Sequence, residues 1–101
     1  SKRSLVVGER TVLVFSARDD AHRGEERATR LVEALGVLFV RARHVRKFGT
    51  LDDLKLTAKH KVVSTPLVVV LEGQRELARI PARLPGVEEV QRILGVVGGR
   101  P

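Results

Sequence analysis

The sequence contains no cysteine, and this absence restricts its function more than any other feature of its composition. Without a thiol, the 101 residues can form no disulfide, bind no metal through a thiolate and carry out no thiol catalysis. Tryptophan and tyrosine are also absent and only three phenylalanines are present, which leaves few rings for stacking on nucleic-acid bases. The longest runs without a polar side chain, 34–40 and 66–71, are far shorter than the roughly 20 residues of a membrane-spanning helix, so no membrane partner is expected.

The length of 101 residues is that of a single domain. We expect residues 1–10 to form an N-terminal arm or a short extra strand, residues 11–95 to form the folded domain, and residues 96–101 to form a flexible tail. The apolar residues 5–7 that follow the basic start are too few for a secretion signal, which predicts a cytoplasmic location. No repeat or motif indicates an oligomeric state.

Positive charge is concentrated in the middle of the chain. Basic residues number 19 and acidic residues 12, and residues 40–61 alone contain seven basic and two acidic side chains. That segment carries +5 of the net charge of +7 and is suited to an anionic partner such as nucleic acid or another polyanion. A plain solvated surface is the alternative, because runs of charge usually have that role. The residues predicted to contact a polyanion are Arg41, Arg43, Arg46 and Lys47.

The first half of the sequence has the pattern of a strand, a helix and a second strand. Residues 11–15 are a short β-branched and aromatic run, typical of a strand that is buried on both faces. Gly36 is predicted to end the following helix, and the apolar segment Val37–Val40 to begin a second buried strand. The helix itself is indicated by apolar residues three and four positions apart: Ala28, Leu31, Val32 and Leu35.

A second helix is predicted to begin after Thr50. This threonine is followed by Leu51 and two aspartates, an arrangement that resembles a capping box and places negative charge near the positive end of the helix. The apolar stripe of this helix is predicted to consist of Leu51, Leu54 and Ala58.

The last part of the sequence predicts a hairpin and a third helix. Residues 67–71 and 76–80 flank a short turn-like segment and are predicted to pair as a β-hairpin. The third helix follows Pro85-Gly86 and is predicted to end at Gly95. The resulting order, βαβαββα, predicts an α/β fold with a mixed four-stranded sheet and three helices.

Three segments resemble the thioredoxin superfamily in its shorter, glutaredoxin-like form. Val12–Ala17 is similar to the central strand of that family, Ser64–Leu67 to its cis-proline loop, and Leu71–Gln74 to its hairpin turn. The resemblance covers residues 11–95 and implies a thioredoxin-like fold. It also implies that the Thr65–Pro66 peptide bond is cis, so that the backbone of residue 65 can pair with an extended peptide.

The residues that carry chemistry in this family are replaced in the present sequence. The positions of the Cys-x-x-Cys motif are occupied by residues 20–23, and the position of the buried acidic residue is occupied by Val14. The resemblance therefore implies a redox-inactive member that is not an enzyme and that binds a protein or a peptide. The residues predicted to contact this partner are Asp20, Ala21, His22, Arg23, Thr65 and Pro66.

Two other functions fit parts of the sequence. The segment Lys61–Pro66 resembles KaiB and the KaiB-like sensor domains of clock kinases, which implies a clock or signalling adaptor. Asp19 or Asp20 beside His22 can act in principle as an acid–base pair or a metal site, although aspartates at the start of a helix more often cap it. Because no phosphate-binding glycine motif or serine-hydrolase motif is present, we expect no catalytic residue, no metal and no cofactor.

Overall fold

The structure is a computed structural model that describes residues 9–18, 23–38 and 41–97. Four strands and three helices occur in these residues, in the predicted order βαβαββα. The elements are β1 (Arg10–Ser16), α1 (Gly24–Leu38), β2 (Arg41–Arg46), α2 (Leu51–Lys59), β3 (Leu67–Glu72), β4 (Arg75–Pro81) and α3 (Val87–Val97). The predicted fold class is confirmed, and none of the helices in the described residues is long and apolar enough to cross a membrane.

The strands form one mixed sheet in the order β2-β1-β3-β4. β1 and β2 are parallel, with Thr11 opposite Arg41, whereas β3 runs antiparallel to both β1 and β4. The predicted parallel pair and the predicted hairpin are therefore confirmed. The two central strands consist mainly of valine and leucine because both of their faces are covered. β2 lies at an edge of the sheet, and its residues alternate between exposed and less exposed positions.

The two faces of the sheet are covered differently. The two-helix face is the side on which Val12, Val14, Val68 and Val70 pack against α1 and α3. The one-helix face is the opposite side, where the packed residues are Leu13, Phe15, Val45, Val62, Leu67, Val69 and Leu71. Among the described residues, α2 contributes only Leu56 to the apolar contacts of this second face. The one-helix face therefore has much less apolar cover than the two-helix face.

The predicted boundary between α1 and β2 is wrong. The helix continues through Gly36 to Leu38, and Val37 is 84% exposed on its surface rather than buried in a strand. A glycine inside a helix costs only about 1 kcal/mol relative to alanine, so it does not have to end the helix. Gly95 was likewise a wrong end, since α3 continues to Val97. Phe39 and Val40 lie outside the described residues.

The predicted start of α2 is confirmed, and it is built around the buried carboxylate of Asp53. The Thr50 hydroxyl accepts a hydrogen bond from the Asp53 amide at 3.2 Å, and the Asp53 carboxylate accepts from the Thr50 amide at 3.4 Å. The same carboxylate accepts from the Arg43 guanidinium at 2.9 Å and from the Arg46 amide at 3.4 Å. A side chain at Gly49 would collide with this carboxylate. Asp53 therefore joins the end of β2 to the start of α2.

The predicted apolar stripe of α2 is wrong. Leu51, Leu54 and Ala58 are all exposed, and Asp53 is the buried residue of this helix. The carboxylate is drawn inward by its hydrogen bonds, which fixes the rotation of the helix and turns Leu51 and Leu54 outward. Hydrogen bonding to one polar residue thus outweighs a weak apolar pattern in this short helix.

Candidate functional site

Four chain segments meet where β1 and β2 end and where α1 and β3 begin. We call this region the strand-end surface and define it as residues 16–18, 23–25, 46–48 and 63–66. Lys47 connects three of the segments, because its amide donates to the Ser16 carbonyl at 2.8 Å and its ammonium donates to the Val63 carbonyl at 3.0 Å. Arg18, Glu25, Arg46 and Phe48 line a cavity of about 210 Å³ in the same region. Loops from distant parts of the sequence are thereby held together at one end of the sheet.

Two large apolar side chains are exposed on the strand-end surface. Phe48 is 77% exposed and Val63 is 84% exposed, and both lie next to Lys47. The Lys47 ammonium lies 5.7 Å from the centroid of the Phe48 ring, within the range of a cation–π contact. The same ammonium reaches the backbone of Val63, so one cation bridges the two apolar groups. The surface therefore offers apolar area and positive charge side by side.

A chain of polar side chains lies directly beneath this surface. Ser16 is fully buried, and its hydroxyl lies 2.5 Å from Nε2 of His44. Nδ1 of His44 lies 3.1 Å from the Thr29 hydroxyl, which itself donates to the Glu25 carbonyl at 3.0 Å. This pattern assigns the ring proton to Nδ1, so that Nε2 accepts from Ser16. These hydrogen-bonded side chains connect β1, β2 and α1, and they do not present an accessible serine nucleophile.

The charge state of His44 agrees with this assignment. Burial and the positive charge of Arg46 lower the pKa of His44 below its ordinary value, and they outweigh the opposing effects of Glu25 and Asp53. The imidazole is therefore neutral at physiological pH and can accept the Ser16 proton. Sequence analysis did not single out His44 as a structural residue. Its position opposite Val14 in the parallel register, on the two-helix face, is the signal that identifies it.

Comparison with solved structures identifies the fold. A designed protein matches with a TM-score of 0.67 at 15% identity, over 93% of this chain and 80% of its own. Thioredoxin 1 from Thermosipho africanus matches with a TM-score of 0.62 at 15% identity, over 86% of this chain and 92% of its own. Thioredoxin f2 from Chlamydomonas reinhardtii has a TM-score of 0.62 at 10% identity, over 93% and 83% of the two chains. The chain has the thioredoxin fold.

The thioredoxin fold is the extent of what these comparisons show. No protein-family model matches the chain, and no curated protein matches it. The structural matches share only 10–20% of their residues with it, which is too little to carry over an activity. The chain also has no cysteine, which thiol–disulfide exchange requires. The resemblance to KaiB is not addressed by the comparisons and stays a prediction.

The residues predicted for partner binding are distributed over two parts of this thioredoxin-fold chain. Asp20, Ala21 and His22 lie outside the described residues. Arg23 comes directly before α1 in the left-handed region, with φ of 61°, and its exposed side chain lies 3.6 Å from Glu26. The Thr65–Pro66 peptide bond is cis, and the Pro66 carbonyl accepts from the Ala82 amide at 2.9 Å. Thr65 is half-buried and has interactions of its own within the chain.

The residues predicted for polyanion binding do not form one surface. Because side chains alternate along a strand, Arg41 and Arg43 lie on the one-helix face and Arg46 on the other. Each of the three arginines contacts a carboxylate: Arg41 with Glu9 at 3.0 Å, Arg43 with Asp53 at 2.9 Å and Arg46 with Glu25 at 3.8 Å. Lys47 lies beyond the strand, in the loop that follows it. A charge count along the sequence missed Glu9 and Glu25, which approach from other segments.

The described residues contain no group of three His, Asp or Glu side chains placed to hold a metal ion. Asp19, Asp20 and His22, which were considered as a metal or acid–base site, lie outside these residues.

Proposed function

We propose that this chain is a non-catalytic thioredoxin-fold module that binds a protein or peptide through the strand-end surface. The observation that carries the proposal is the pair of exposed apolar residues, Phe48 and Val63, bridged by Lys47 beside the cis-proline loop. Aromatic residues, phenylalanine among them, are enriched at protein interfaces relative to the rest of the protein surface. The sequence has no cysteine, so the proposed use of this surface does not involve thiol exchange.

The charge of the strand-end surface favours an acidic partner. Its defined residues contain four basic side chains and one acidic side chain, Arg18, Arg23, Arg46, Lys47 and Glu25, and Glu26 lies 3.6 Å from Arg23 at its margin. An extended peptide with one bulky apolar residue near a carboxylate would match this arrangement. The apolar residue would contact Phe48 and Val63, and the carboxylate would contact Lys47.

Selection from a displayed library of random peptides tests this proposal. We expect the enriched peptides to combine an apolar residue with Asp or Glu, and amide NMR shifts on binding to concentrate in residues 46–48 and 63–66. Phe48→Ser should raise the Kd of such a peptide at least tenfold, the loss expected for an aromatic anchor. Because Phe48 is 77% exposed, the variant should fold normally.

Leu54→Ser is the matched control. This side chain is also apolar and exposed, but it lies on α2 outside the strand-end surface, so the substitution should leave the Kd unchanged. Peptides that bind equally well to wild type and Phe48→Ser, or shifts that concentrate elsewhere, would refute the assignment of the site.

The remaining alternatives stay predictions. Arg41 and Arg43 lie on the opposite face from Arg46, and this separation does not favour binding of nucleic acid. The contacts described above neither support nor oppose the role of a KaiB-like adaptor. An enzymatic role for His22 depends on residues outside the described part of the chain. A cytoplasmic location also stays a prediction.

A further inference from the structure

A second and larger cavity lies at the opposite end of the sheet, on the one-helix face. Its volume is about 680 Å³, within the roughly 300–1,000 Å³ typical of small-molecule pockets. It is lined by the first half of β1 and β2, the last turn of α2 and the turn between β3 and β4. Gly36 of α1 and Ala42 also line it, so the cavity extends around the β2 edge of the sheet. The cavity exists because α2 has only nine residues and covers just part of this face.

The lining of this cavity has two chemical parts. The apolar part consists of Leu13, Leu56 and Leu71, of which Leu13 and Leu71 are buried members of the apolar cluster of the one-helix face and Leu56 is half-buried. Three cationic side chains also line the cavity, while none of its lining residues is Asp or Glu. The cations are Arg41, Arg43 and Lys59. A ligand that fits both parts must combine an apolar body with a negative charge.

The cationic side chains of the cavity each have a partner in the protein, but these partners do not occupy all of their hydrogen-bond donors. Arg41 contacts Glu9 at 3.0 Å, and Arg43 contacts Asp53 at 2.9 Å through a single nitrogen, Nη2. A guanidinium has five N–H donors, so one carboxylate partner leaves others available to a ligand. The Lys59 ammonium donates to the Gln74 side chain at 3.1 Å across the edge of the cavity, which joins α2 to the hairpin turn.

We propose that this cavity binds a small organic anion, with a carboxylate or similar group at Arg41 and Lys59. The apolar body of the ligand lies in the cavity against Leu13, Leu56 and Leu71. This site is separate from the strand-end surface, and neither proposal depends on the other. The cavity lies at the start of β1 and β2, near residues 11 and 41, whereas the strand-end surface lies at the other end of these strands, near Ser16 and Arg46.

The full 101-residue chain can be tested with the fluorescent probe anilinonaphthalene sulfonate, which combines an aromatic body with one negative charge. We expect saturable binding with a stoichiometry of one. Octanoate should displace the probe at concentrations at least tenfold lower than octan-1-ol, which has the same chain length but no charge. The affinity for octanoate should also fall in high salt, because the cationic side chains are partly exposed to solvent.

Variants locate the bound probe. Arg41→Gln and Lys59→Gln should each raise its Kd about tenfold, whereas Arg92→Gln removes an exposed charge from α3 and should have no effect. Arg43 is left intact because it contacts the buried Asp53. Equal displacement by octanoate and octan-1-ol overturns the proposal, as does binding lost in Phe48→Ser but kept in Arg41→Gln. The proposal is also overturned if the protein forms a dimer that excludes the probe, or if acidic peptides bind to the protein but the probe and octanoate do not.

Discussion

The two faces of this sheet differ in how the helices that cover them are held in place. On the two-helix face, α1 and α3 supply Ala28, Leu31, Leu35, Val90 and Leu94 to a continuous apolar core. On the one-helix face, α2 is positioned by a buried carboxylate and contributes one half-buried leucine, Leu56. Two helices therefore close the first face by apolar packing, whereas on the second face hydrogen bonds and an ion pair position a single short helix over the apolar cluster of the sheet and a cavity remains. We infer that stability depends mainly on the two-helix face, while the other face is free to bind.

The largest effect should come from a matched pair of leucine truncations, one on each face. Leu35 is fully buried on the two-helix face, so Leu35→Ala should reduce the free energy of unfolding by about 2–5 kcal/mol. Leu56→Ala removes the same atoms from the edge of the open cavity and should cost about 1 kcal/mol. Urea denaturation of both variants measures the difference. Equal losses would contradict the proposed division between the faces.

A smaller effect is expected at the carboxylate that positions α2. Asp53→Asn should cost about 2 kcal/mol, because it removes the charge from a buried hydrogen-bonded group that contacts Arg43. Asp52→Asn is the control, since Asp52 lies in the same helical turn but is exposed. Burial alone would raise the pKa of Asp53, but the hydrogen bonds from Arg43, Arg46 and Thr50 outweigh it and lower the pKa.

The pH dependence of this stabilisation has a definite sign. A carboxyl group whose pKa is lowered by folding stabilises the protein fully above its unfolded pKa of about 3.9 and loses that effect as the pH falls further. The difference between wild type and Asp53→Asn should therefore be constant near neutrality and shrink below about pH 4. A difference that persists unchanged at pH 2–3, if both proteins remain folded there, would show that the charge of Asp53 is not what stabilises α2.

Sequence reasoning predicted the architecture because the strong patterns are local. The continuous apolar runs of β1 and β3, the capping box at Thr50 and the spacing of Leu31 and Leu35 each describe their own element correctly. It failed where a distant partner decides the outcome. Arg43 turns Asp53 inward and thereby exposes Leu54, and no pattern within α2 itself reveals this contact.

The candidate sites were harder to predict for the same reason. The charge of +5 was counted over residues 40–61, which are neighbours in sequence. Because side chains alternate along a strand, Arg43 and Arg46 of this segment lie on opposite faces of the sheet. Phe48 was counted only as one of three aromatic residues, because nothing local indicates that its ring is exposed beside Lys47. Alternation along β2 was available as a signal and would have separated these arginines.

The smallest effect concerns His44, the half-buried histidine of the two-helix face. Burial and Arg46 lower the pKa of His44, so the unfolded chain binds a proton there more readily than the folded chain does. Stability should be complete above the unfolded pKa of about 6.5 and fall on acidification, by no more than about 1.4 kcal/mol per pH unit for one proton. His44→Gln should flatten the measured dependence of unfolding free energy between pH 7.5 and 5.

His60 offers a comparison from the other face, because its pKa is also lowered. Burial is the largest cause and the positive charge of Lys59 is the next; Arg79 also lowers the pKa, whereas Glu76 raises it. His60 lines the open cavity, where water reaches it, whereas His44 is enclosed between Ser16 and Thr29 by two hydrogen bonds. We therefore expect His60→Gln to flatten the pH dependence less than His44→Gln does. The reverse order would mean that the one-helix face is the more tightly closed of the two, which would also remove the physical basis for a ligand cavity there.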